Sequence, residues 1–241
     1  MAEIIAVINQ KGGIGKTTTT YNLGAGLAMH DKDVLLIDLD TQGNLSFYAL
    51  QGYPGAGRQK ESIVDVVSDG AKFDDVIQRS AGLDIIPASV RLVELDGKIV
   101  KFNFKSIAKR YDYIFMDCPP NMAGLTVAAI KASDSVLIPT TADVFAFSSV
   151  QDTAESIKTL EKQIRGIVII KYSERMIINK DIKKDFQSLA KKLKTKLYKT
   201  AIRETVAVRE SQVAQQNIFA YAPDSTAAKD FEKFAIEFME G

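Results

Sequence analysis

The chain has 241 residues, 46% of them apolar and 25% charged, with a formal net charge of +1. That balance suits a folded globular protein and leaves total charge silent about partners. Its single cysteine, Cys118, excludes an internal disulfide or a cysteine-clustered metal site within one chain and fits a reducing, cytoplasmic setting. No apolar run approaches the roughly 20 residues of a membrane span, and the chain enters its first strand so early that no signal peptide is expected.

Ile4–Ile8 is a short apolar run of the kind that forms a strand buried on both faces of a parallel sheet. A turn with Gly12, Gly13 and Gly15 follows, and Lys16-Thr17-Thr18 then opens a segment with apolar residues at Leu23, Leu27 and Ala28. Strand, glycine turn and helix start make a phosphate cradle, because glycines let several backbone N–H groups face one concavity and the helix terminus adds partial positive charge. Lys16 supplies a full charge to the β/γ-phosphates and the Thr17 hydroxyl a ligand for Mg²⁺. Val34–Ile37 predicts a second buried strand with Asp38 and Asp40 at its carboxyl end, where open α/β sheets bind ligands.

Residues 51–60, rich in glycine and polar groups, predict a mobile loop, and Ser62–Val67 a short helix. Leu83–Pro87 reads as a third strand, and the apolar spacing from Val90 to Arg110 as helical. The fourth strand, from Tyr111, ends at Asp117 after Ile114-Phe115-Met116, a Walker B arrangement able to hold a water on Mg²⁺. Cys118 fits a small buried side chain without catalytic role. Ser135–Pro139 and Gly166–Ile170 predict two more strands around a helix from about Ser148 to Gln163. From Asn179 the chain is helical and basic, with lysines at 180, 183, 184, 191, 192, 194, 196 and 199, then Arg203 and Arg209. The last helix, Ala227–Glu240, sets Phe231, Phe234 and Phe238 on one face and Asp230, Glu232, Glu237 and Glu240 on the other. The alternation predicts an α/β fold over residues 1–241, a doubly wound, mostly parallel sheet flanked by helices in a single domain.

The glycine loop departs from G-x-x-x-x-G-K-[ST] in having Gln10 at the first glycine and a second lysine, Lys11, beside it. As K-G-G-x-G-K-T-T it resembles the deviant Walker A motif of the ParA/MinD family of ATPases. Asp38–Asn44 (DLDTQGN) resembles that family's D-x-D-P-Q-G-N, with Thr41 for proline, and Pro119-Pro120-Asn121 resembles its D-x-P-P loop. Tyr221–Ser225 resembles its Y-D-P-x-S loop. The similarity runs through nearly the whole chain, strong to Pro120, moderate to about residue 175 and patchy afterwards.

The resemblance implies ATP and Mg²⁺ as ligands, with Thr18 in the cradle, Asp38 near the metal shell and Pro223 near the adenine. It implies that Asp40 orients the attacking water and that Lys11 reaches the nucleotide of a partner subunit. The implied function is partition of plasmid or chromosomal DNA. An ATP-closed homodimer binds double-stranded DNA without sequence preference, on the nucleoid, and a ParB-like centromere-binding protein releases it by stimulating hydrolysis. No N-terminal DNA-reading domain is expected. Family members carry an arginine in a V-R-L-S-E-A stretch; here Ala207 takes that place and Arg209 lies two residues on, so Arg203, Arg209 and Lys199 are the candidate DNA contacts. Two competitors share the ATP cycle: a MinD-like membrane-cycling ATPase and a positioner of protein cargo. The acidic face of the last helix argues against a membrane partner.

Overall fold

The computed structural model describes residues 1–55, 61–95 and 98–241. One seven-stranded sheet runs in the order β3-β4-β2-β5-β1-β6-β7. Its strands are β1 (Glu3–Val7), β2 (Val34–Asp38), β3 (Gln78–Ser80), β4 (Leu83–Ile86), β5 (Tyr113–Asp117), β6 (Ser135–Thr141) and β7 (Gln163–Ile170). All pairings are parallel except β3 with β4 at the edge.

Each central strand is buried on both faces, and alternate residues feed two separate cores. Ala6, Leu35, Ile37, Ile114, Met116, Val136 and Ile167 point into one; Ile5, Val7, Val34, Leu36, Phe115, Leu137 and Val168 point into the other. This two-sided burial is why the strands read as unbroken apolar runs. The first core is covered by α3 (Ile63–Ser68), α4 (Phe73–Val76), α5 (Gly124–Ala132), α6 (Val144–Thr159) and α7 (Ile177–Lys192). The second is covered by α1 (Lys16–Ala28), α2 (Asn44–Ala49), α9 (Ile218–Tyr221) and α10 (Thr226–Met239), with α8 (Val206–Val213) beside α9. Among the described residues no helix is long and apolar enough to cross a membrane.

Several elements differ from expectation. The 90–110 stretch is a 3₁₀ segment at Val90–Leu95, and from residue 98 to 112 it carries no regular helix. Its apolar residues Leu92, Leu95, Phe104 and Ile107 are nonetheless buried, so their spacing records an irregular chain pressed on the core. The helix after β6 starts at Val144, where the Asp143 carboxylate accepts from the Ala146 N–H as its cap; Gln163 already belongs to β7. Of the expected loop, residues 51–55 hold no helix or strand, and 56–60 lie outside the described residues.

The basic region is only partly helical. Past α7, the segment 196–204 runs alongside β7: Tyr198 N–H donates to Ile167 O, Ile202 N–H to Ile169 O, and Tyr172 N–H to Ile202 O. Gly166 permits this approach, since a Cβ there would stand 2.5 Å from the Tyr198 ring. Two carboxylates on the polar side of α10 fasten the same segment. Glu237 accepts from the Lys199 and Thr200 N–H groups, and Asp230 from Arg203.

Candidate functional site

Parallel pairing brings the chemistry to one edge of the sheet. Asp117 ends β5 directly opposite Val7 on one neighbour and Asp38 on the other, so the glycine loop and both carboxylates emerge side by side. Gly13 and Gly15 hold φ of +71° and +83°, a region that L side chains avoid. Gly15 caps α1, and its backbone turn aims the first N–H groups of that helix at the loop's concavity. A cavity of about 520 Å³ opens there, floored by Gly12, Gly13, Gly15, Lys16, Thr17 and Thr18, with Asp40 at its side.

Lys16 is buried and donates to Asn9 O at 3.2 Å. Burial lowers its pKa, while the charges of Asp117 and Asp40 oppose that shift. Asp117, also buried, has its pKa raised by burial first and by the charge of Asp38 next; the Thr17 hydroxyl and Lys16 pull the other way. A carboxylate under this strain, touching Thr17 and 3.5 Å from the Thr20 hydroxyl, suits a divalent cation that would offset its burial.

Asp38, expected near the metal shell, also holds the loop that follows β2. Its Oδ1 accepts from the Asp40 N–H at 3.1 Å, and its Oδ2 accepts from the Ser46 N–H at 2.9 Å and the Ser46 hydroxyl at 2.7 Å. Both oxygens are therefore engaged in holding the 38–46 loop. Burial still raises its pKa against those bonds. Asp40, whose Oδ1 accepts from the Gln42 N–H, lines the cavity on the side of the glycine loop.

Lys11 faces away from its own cavity. Its ammonium donates to Asp143 Oδ1 at 2.9 Å and Oδ2 at 3.1 Å. Partial burial of Asp143 is outweighed by hydrogen bonds from Thr141, Lys11 and the Ala146 N–H, which hold its carboxyl below the usual range.

The opposite wall comes from segment 202–212, through Arg203, Thr205, Val208 and Arg209. Gln212 of α8 donates to the Thr18 hydroxyl at 2.7 Å, tying this wall to the cradle. Pro223 does not line the cavity; it precedes Ser225, which caps α10, so the wall sits on α8 instead. Arg203, expected at a DNA surface, is held by Asp230: Nε to Oδ2 at 2.8 Å and Nη2 to Oδ1 at 2.7 Å. Arg209 is largely exposed and paired with Glu204 at 2.8 Å. Lys199 is exposed and outside the cavity, its carbonyl accepting from Lys183.

Four further residues that help build this site stand in no sequence motif. Asn9 anchors the loop, donating to Pro139 O and accepting from the Lys11 N–H and the Ser149 hydroxyl. Ser46, Asp143 and Gln212 are the others. Only Asp143 carried a signal, as a capping residue just ahead of an apolar helix start.

A family model described as an AAA domain matches residues 2–170. The chain is 32% identical over 258 residues to the sporulation initiation inhibitor protein Soj of Bacillus subtilis, with 98% of each chain covered. It is 30% identical over 257 residues to the chromosome partitioning protein ParA of Caulobacter vibrioides, covering 98% of this chain and 93% of that one. Among solved structures it is similar to the septum site-determining protein MinD of Pyrococcus horikoshii complexed with Mg-ADP. There the TM-score is 0.81 and the identity 26%, over 98% of this chain and 96% of the other. A K-G-G-x-G-K-T-T loop at the head of a parallel sheet, joined by these likenesses, makes the chain a member of this AAA-domain family, a P-loop ATPase of the ParA/MinD type.

Proposed function

We propose that this chain is an ATP-dependent partition ATPase for plasmid or chromosomal DNA. The observation that carries the reading is the division of labour at the sheet edge. Lys16, Thr17 and Thr18 floor a cavity beside Asp40, while Lys11 points out of it and rests on Asp143.

ATP fits the glycine cradle, with Lys16 set to meet its phosphates. Mg²⁺ would draw on the Thr17 hydroxyl and, through water, on Asp117; among the described residues no cluster of three acidic, histidine or cysteine side chains forms a cage. Such an open site suits a magnesium that keeps waters and the nucleotide's own oxygens as ligands. When bound, Mg-ATP supplies the phosphoryl group that is hydrolysed. Asp40 orients the attacking water, and Lys16 steadies charge on the phosphate oxygens. Lys11, released from Asp143, serves the nucleotide of a second copy, so hydrolysis depends on dimerisation. The Soj and ParA likenesses support DNA as cargo and a ParB-like partner as the trigger for hydrolysis.

The basic exposed side of α7, with Lys180, Lys184, Lys191 and Lys192, is the surface that would follow a phosphate backbone, and exposed Lys199 and Arg209 are further candidate contacts. Dimerisation doubles such a surface and makes binding ATP-dependent. A membrane is disfavoured as partner because Phe231, Phe234 and Phe238 of α10 are fully buried. DNA co-sedimentation with ADP, ATP and a non-hydrolysable analogue tests the reading. Retention of DNA only in the two triphosphate states is expected; equal binding in all three refutes it.

A further inference from the structure

A third lysine touches the phosphate cradle without a part in the roles assigned so far. Lys171 follows β7 directly and holds φ of +51°, where any residue with a Cβ is mildly strained. Its ammonium donates to Gly13 O at 2.7 Å, and it lines the same cavity as the glycine loop. The residue before it, Ile170, also meets the loop: a Cβ on Gly15 would stand 2.2 Å from its Cδ1. The end of β7 thus grips the loop at two points, an apolar one at Gly15 and a charged one at Gly13.

The charged contact has a directional consequence. No peptide bond among the described residues is cis, so the Gly13 C=O and the Ile14 N–H point to opposite sides of one rigid plane. A cation holding the carbonyl therefore fixes where the N–H points. Turned over, that peptide would present an oxygen to an anion where a donor is needed.

We propose that Lys171 is a positioning residue of the phosphate cradle, fixing the Gly13–Ile14 peptide so that the Ile14 N–H is set for the nucleotide before it arrives. The proposal rests on the reading of residues 12–18 as that cradle. Holding the carbonyl in advance spares the bound state the cost of ordering the loop.

The test titrates fluorescent ADP and ATP, with Mg²⁺, into the parent protein and into the Lys171→Met, Lys171→Arg and Lys171→Gly variants. The ¹H–¹⁵N resonance of Ile14 is followed without nucleotide. Losing a charge-assisted hydrogen bond that orders the loop should weaken ADP and ATP alike by about tenfold in the Met variant. Arg should restore binding, and Gly, which relieves the backbone strain, should melt no lower than the parent yet bind as weakly as Met. The Ile14 resonance should move in Met and Gly and return in Arg. Unchanged affinity in Met, or a loss confined to ATP, overturns the proposal, the latter by making Lys171 a direct γ-phosphate contact. Normal binding by Gly also overturns it. A parent protein that binds neither nucleotide would instead sink the cradle itself.

Discussion

Arg203 and Arg209 stand six residues apart on one cavity wall, yet their replacement by alanine should have very unequal consequences for stability. Asp230 is nearly buried, with 7% of its side chain exposed, and accepts three hydrogen bonds from Arg203, one backbone and two from the guanidinium. Arg203→Ala removes the two charged donors and leaves the carboxylate with one N–H. Breaking a buried pair in this way costs about 3–5 kcal/mol. The surviving backbone donor and the partial exposure of Arg203 reduce that to about 2–3 kcal/mol. At about 2–4 °C per kcal/mol for a chain of this size, the melting temperature should fall by about 5–10 °C. The Arg209–Glu204 pair is exposed on both sides, 74% and 49%, and is worth about 0–1 kcal/mol, so Arg209→Ala should melt within about 2 °C of the parent. Thermal unfolding by circular dichroism at one ionic strength reads both. An Arg203→Ala protein as stable as the parent would refute the argument that the guanidinium is committed to the fold. Any loss of DNA binding by that variant then needs correction for its unfolded fraction, whereas a loss in Arg209→Ala can be read directly.

Asp40→Ala should bind ATP and dimerise but turn over far more slowly, seen as persistent DNA retention in a single-turnover assay; normal turnover would remove Asp40 from the water's side. Lys16→Ala should abolish tight ATP binding in equilibrium titration, because among the described residues lining the cavity Lys16 is the buried lysine. Asp143→Ala should release Lys11 and raise ATP-dependent dimer formation measured by sedimentation, whereas Lys11→Ala should suppress it; equal dimerisation in both would deny Lys11 a role across subunits. Burial raises the Asp117 pKa, so without a cation the folded state holds that proton and loses its share of stability as pH rises. Mg-nucleotide competes with the same proton, so its gain in melting temperature should widen from about pH 6 to about pH 8, and a gain independent of pH would place the cation elsewhere.

The parallel strands were legible because burial on both faces leaves them uniformly apolar, as in Val34–Ile37 or Ile114–Met116. β3 was not, since Gln78-Arg79-Ser80 is a polar edge whose pairing comes from the backbone alone. The 90–110 stretch misled for the converse reason. Phe104 and Ile107 are buried by contact with the core, and apolar spacing cannot distinguish a helix from an irregular chain that buries the same residues.

The site divides along similar lines. Groups whose role lies in the backbone, such as Gly13 and Gly15, or at a strand tip, such as Asp117, declare themselves through spacing. Groups whose role depends on what folding brings to them do not. Asp38 and Asp230 look like two more acidic residues until Ser46 and Arg203 close on them. Lys11, Lys171 and Arg203 are three cations of one neighbourhood, and their partners separate them. Asp143 is a half-exposed carboxylate, so Lys11 loses little by leaving it. Gly13 O is a neutral acceptor that gains from being held. Asp230 is a buried anion that cannot be abandoned without loss of the fold. A count of basic residues between 180 and 209 treats such groups as equivalent, whereas the energy of removing each partner ranks them. By that ranking the exposed lysines of α7, at 180, 184, 191 and 192, are the ones whose replacement should leave the fold intact.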